Sequence, residues 1–227
     1  MSTRRSAISR LGALSAALAL SPARAFAAGS SEAPRDRAID EWDLSWLDDL
    51  KGRHKQVFDC GSLDEDLPPT HVITNWLNAH RDVFGLEHPQ VDTIAGIAFS
   101  AFPLNASDAL WKKYGLGELW NLHDPATGEW ALRHIFYDPP PDAPATGEAR
   151  RFAEMTVKAL QARGTIFWQC NNALFGIAAM LSERTGQEWE PVYNELKGGL
   201  VPGVRLVPAH TMLIGLAQER GCTYEKV

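Results

Sequence analysis

Cysteine is scarce. Three in 227 residues, with no Cys-x-x-Cys spacing, exclude a disulfide framework and a cysteine-built zinc site. Other signatures are missing too. There is no glycine-rich loop to cradle a phosphate, no Gly-x-Ser-x-Gly elbow, and no carboxylate pair at a spacing that suggests acid–base work. No cofactor motif is present, so no cofactor is expected. After residue 28 no apolar run is long enough to cross a membrane. Basic residues are in the minority, 22 against 28 acidic, for a net charge of −6.

What is there begins with an export signal. Met1 to Ala28 opens with Arg4-Arg5, continues through the short alanine-rich apolar run Leu11 to Leu20, and offers small-residue cleavage sites after Ala27 or Ala28. This pattern predicts a secretory leader of twin-arginine type and a periplasmic location. An ordinary secretory leader is the alternative. The leader holds four arginines and no acid, so the rest of the chain keeps 18 basic residues against 28 acidic, a net −10. Such a surface argues against nucleic acid or anionic lipid as a partner.

The remainder divides into an arm, residues 29–52, and an α/β domain, residues 53–227, with an insertion at about 100–147. In the arm, Trp42, Trp46 and Leu50 stand four apart, as on a short amphipathic helix. His54 to Cys60 and Val91 to Phe99 read as strands joined by a helix over Thr70 to Phe84, which Gly85 ends. Strand, helix, strand points to a parallel sheet with a right-handed crossover. In the insertion, Asn105 to Tyr114 reads as a helix, and two alternating runs from Leu119 to Phe136 around Asp124-Pro-Ala-Thr-Gly predict a β-hairpin. Asp138 to Gly147, with four prolines, is a surface linker. Beyond it come a helix over Glu148 to Arg163, a strand over Thr165 to Gln169 and a helix over Asn172 to Thr185. A loop holding Trp189, a short helix over Val192 to Lys197, a strand over Val204 to Pro208, a helix over His210 to Arg220 and a final strand over Cys222 to Val227 complete it. The expected fold is a three-layer α/β/α arrangement on a mainly parallel sheet, plus the inserted hairpin.

The chemistry centres on Cys170, where a β-branched and aromatic run ends and a helix begins. In an open parallel sheet, ligands bind beyond the carboxyl ends of the strands. A thiol there faces the first turn of a helix, whose free N–H groups and positive dipole end favour thiolate; the alternative is a buried cysteine packing as a small hydrophobe. Cys60 also follows a strand and could pair with Cys170 in an oxidising compartment. Asn171 and Asn172 suit a helix N-cap, or side-chain amides that hold a ligand. His210 starts a helix at a strand end. It could serve Cys170 as base or positive neighbour, or simply cap its helix. His123 and His134 flank the hairpin, but with no third ligand in view no metal site is expected. Trp111, Trp120 and Trp130 would form the insertion's small core or a subunit contact.

The run Leu200 to Ala209, then Gln218, Gly221 and Tyr224, resembles the C-terminal signature of DsrE-like proteins, and Cys170-Asn171-Asn172 is similar to that family's upstream Cys-x-Asn. The resemblance spans about 53–99 and 148–227 in element order and is specific over 165–227. It implies a three-layer α/β/α fold, homo-oligomers and sulfur handling, with Cys170 in the place of a cysteine that carries a persulfide between partner proteins. Two readings of function follow. In one, a periplasmic DsrE-like protein binds or relays a small sulfur species through Cys170. In the other, a non-catalytic oligomeric module holds a ligand or partner in the same crevice or on the tryptophan-bearing insertion.

Overall fold

The computed structural model describes residues 42–138 and 147–227. The leader, most of the arm and the prolines of the linker lie outside the described residues.

Five strands form one sheet: β1 His54–Cys60, β2 Val91–Ile97, β3 Ile166–Cys170, β4 Arg205–Val207 and β5 Thr223–Lys226. Their order is β4-β3-β2-β1-β5, and every pairing is parallel. Alternate residues of each strand go to opposite faces, as the pleat requires. Phe58, Ala95 and Phe167 enter one apolar core; their neighbours Val57, Ile94 and Trp168 enter another. A sheet covered on both faces leaves every residue of β2 buried, Asp92 and Thr93 included, rather than alternating.

The crossovers decide which helix covers which face. The chain steps outward from β1 to β4 one strand at a time. Right-handed connections then place all the intervening helices on one side. These are α1 Thr70–Phe84, α2 Asp108–Tyr114, α3 Leu116–Trp120, α4 Glu148–Glu154, α5 Val157–Ala162, α6 Asn171–Thr185 and α7 Trp189–Gly198. From β4 the chain turns back across the sheet to β5, so α8 His210–Glu219 lies on the other face. That face is completed by a 3-10 turn, Ser45–Asp49, whose Trp46 and Leu47, with Leu50, are buried against it. The short amphipathic helix expected in the arm is this turn, shorter and tighter than an α-helix.

Three sequence expectations change. Leu119 and Trp120 are helical rather than extended: Gly115 and Asn121, both at positive φ, bracket α3. The hairpin shrinks to a loop with one antiparallel bridge, His123 to Trp130, flanked by Asp124 N–H donating to Glu129 O at 2.8 Å. Gly117 permits this arrangement, because a Cβ there would lie 2.3 Å from Ala131 O. The helix expected over Glu148 to Arg163 is broken at Thr156, which is extended and caps α5 by accepting from Ala159 N–H at 3.3 Å. Finally, α7 begins at Trp189, three residues before its expected start. Pro191 falls in its first turn, where no N–H is needed.

Candidate functional site

β3 and β4 are neighbours, yet the helices that follow them leave to opposite faces. That is the topological switch point, where an open parallel sheet forms its crevice. Cys170 is the last residue of β3 and the N-cap of α6. Its Sγ accepts the backbone N–H of His210, the first residue of α8, at 3.3 Å. The sulfur therefore sits at the positive end of α8; it makes no cap bond to α6. Cys170 is buried, with 5% of its surface exposed.

The His210 ring points elsewhere. Trp168 donates its indole N–H to His210 Nδ1 at 3.1 Å. An indole N–H can only donate, so Nδ1 is the acceptor and the ring proton is on Nε2. Nε2 in turn donates to Asp59 Oδ1 at 2.8 Å, and Tyr224 donates its hydroxyl to Asp59 Oδ2 at 2.9 Å. Four residues from β1, β3, β5 and α8 thus form one hydrogen-bonded chain on the face that carries Cys170. Trp168 also packs on Trp46, ring centres 6.3 Å apart. Beneath the rings lies Gly96. A Cβ there would be 2.6 Å from Trp168 Cζ2 and 3.1 Å from His210 Cε1, so only glycine lets both rings approach β2.

The other cysteines are remote in chemistry. Cys60 lies on the opposite face of the sheet, in the core with Phe58, and β2 separates its strand from β3. Two strand spacings are about 10 Å, beyond a disulfide's reach. All three cysteines are free, so the pairing of Cys60 with Cys170 that an oxidising compartment would allow is not made. Burial, reinforced by the Asp59 charge, pushes the Cys60 thiol far up. Burial likewise raises Cys222, to about 11.

The asparagines separate. Asn171 is buried and its Oδ1 accepts the Tyr193 hydroxyl at 2.6 Å, which ties α6 to α7. Asn172 is exposed on the first turn of α6. Of the expected site, Cys170 and His210 come together; Cys60 and Asn171 do not. His210 meets the sulfur through its backbone, because both ring nitrogens are engaged. That arrangement leaves no ring nitrogen to act as the thiol's base.

In the insertion, Trp111 is buried and donates to Pro103 O at 3.0 Å, whereas Trp130 is 40% exposed and stacks on His123. His123 faces Glu65. His134 is buried, its Nδ1 accepting the Phe136 N–H and its Nε2 paired with Leu104 O; burial pushes it down to about 4. Among the described residues no group of three His, Cys, Asp or Glu is placed to hold a metal ion.

Sequence reasoning passed over Asp59, Gly96 and Trp168. Two signals were available: a carboxylate near the carboxyl end of a buried strand, and a lone glycine within the apolar strand β2. Set against models of protein families, curated proteins and solved structures, the chain matches none.

Proposed function

We propose that this chain is an exported DsrE-like protein that carries a sulfane sulfur on Cys170. One observation supports the reading: the sulfur lies at the switch-point crevice and accepts the backbone N–H that opens α8. That N–H, at the start of α8, faces the sulfur that would carry the load, and in sulfur exchange the thiolate is the nucleophile. The Cys170 thiolate attacks the outer sulfur of a persulfide donor. The donor's S–S bond breaks, a new S–S bond forms on Cys170, and the donor's remaining sulfur leaves as thiolate. The exchange needs no external oxidant or reductant. A buried sulfur, 5% exposed, favours a small donor over a bulky one. Export to the periplasm and self-association belong to the same reading.

Treatment with polysulfide followed by mass spectrometry tests it. Cys170 is expected to gain about 32 mass units, one sulfur, and Cys170→Ser to gain none. An unmodified Cys170 under conditions that load a control persulfide carrier refutes the reading.

A second reading, a non-catalytic binding module, draws on the insertion's surface. Trp130 and Leu132 are 40% and 57% exposed, two residues apart. On that reading Cys170→Ala keeps function and Trp130→Ala loses it.

A further inference from the structure

We propose that His210 is a positioning residue for Cys170: hydrogen bonds from its ring to β1 and β3 hold its own backbone N–H on the sulfur. The inference deepens the sulfur-carrier reading, since the residue positioned is the one that reading loads.

Buried Leu213 seats the first turn of α8 on the sheet, but no side-chain cap orients its leading N–H groups. Its N-cap, Ala209, has no side-chain acceptor for the first turn. The strand before it, β4, is three residues long and lies at the edge of the sheet. Only Pro208 and Ala209 separate that strand from His210. The ring supplies the missing anchor. It is held at both nitrogens, by the Trp168 indole on β3 and the Asp59 carboxylate on β1. Asp59 is itself held from the other side by Tyr224 on β5. A ring fixed at two points fixes its Cα, and with it the direction of the N–H that reaches Sγ. Gly96 belongs to the same device, because any side chain there would displace the clamped rings.

The test is alkylation of Cys170 by iodoacetamide, an uncharged reagent, followed by mass spectrometry across pH 6 to 10. Asp59→Ala removes the ring's anchor. It is expected to slow Cys170 alkylation at pH 7 by about tenfold, the scale of one lost hydrogen bond to a charged group. Asp59→Asn keeps an oxygen to accept from Nε2 and an amide to donate to the Tyr224 oxygen. It is expected to stay within about twofold of wild type, since the tether is retained. His210→Phe keeps a ring over Gly96 but loses both ring hydrogen bonds, and is expected to slow alkylation like Asp59→Ala. Circular dichroism and thermal melts identify which variants are folded.

Folded Asp59→Ala or His210→Phe with the wild-type profile overturns the proposal. Asp59→Asn as slow as Asp59→Ala also overturns it, because charge alone would then be responsible. Polysulfide loading is scored separately. Wild type that fails to load while the profiles separate sinks the sulfur-carrier reading and leaves the positioning role; loading with coincident profiles does the reverse.

Discussion

Replacing Gly96 by alanine probes the floor of the site without touching a polar group. A Cβ at this position would stand 2.6 and 2.9 Å from two indole carbons of Trp168 and 3.1 Å from His210 Cε1. Carbon atoms pack comfortably at about 3.5–4.0 Å, so something must move by close to 1 Å. The indole cannot move freely. It is fully buried, bonded to His210 and packed on Trp46. Relieving such overpacking costs about 1–3 kcal/mol, against about 0.5–1 kcal/mol that alanine gains over glycine in a strand. The clash prevails, and a net loss of about 1–2 kcal/mol is expected. In a chain of this size that lowers Tm by about 2–8 °C. Urea unfolding, with the slope unchanged, measures it. Gly215→Ala is the matched control. Gly215 lies in the middle of α8, and a Cβ there meets nothing within 4 Å. The same exchange should then stabilise by about 0.5–1 kcal/mol. Alanine is a better former than glycine of strand and helix alike, so the crowding around Gly96 is what should make the two substitutions shift stability in opposite directions. Gly96→Ala as stable as wild type would mean that the Trp168–His210 packing is not as close as described.

Two further outcomes follow from the buried titratable groups. His134 is held neutral, its proton affinity pushed down from 6.5 to about 4 by burial. The unfolded chain therefore binds a proton at higher pH than the folded one, and stability from this residue is complete above about pH 6.5 and lost as pH falls toward 4. The loss is on the order of 3 kcal/mol. The stability gap between wild type and His134→Asn should narrow by that amount between pH 7 and pH 4; a gap independent of pH contradicts the assignment. For the thiols, burial raises Cys222 to about 11, so at pH 8 only about one in a thousand is ionised, and Cys60 is shifted further the same way. Native labelling with iodoacetamide at pH 8 should modify Cys170 well before either. Cys60 or Cys222 reacting first would contradict the upward shift of those two thiols.

How legible the molecule was in its sequence depended on how local each feature is. β1 and α1 could be read to the residue, because apolar spacing and Gly85 mark their limits within the segment itself. Cys170 at a strand-to-helix junction was equally visible. The insertion was not. Leu119 and Trp120 fit an alternating pattern, but Gly117 pressed against Ala131 makes them helical. That contact joins residues whose proximity no local pattern encodes.

The sequence by itself determined the parallel α/β architecture, because periodicity and turn residues act within a dozen positions. It also placed a thiol at the end of a strand. Only the tertiary structure decided what surrounds that thiol. The return of the chain from β4 across the sheet to β5 sends α8 to the opposite face. It sets the His210 amide on the sulfur and turns the ring toward Asp59, 151 residues earlier. It also sends Cys60, on the other face of the pleat, away from the site. Strand order and the parity of side chains along each strand made those choices, and neither is a property of any one segment.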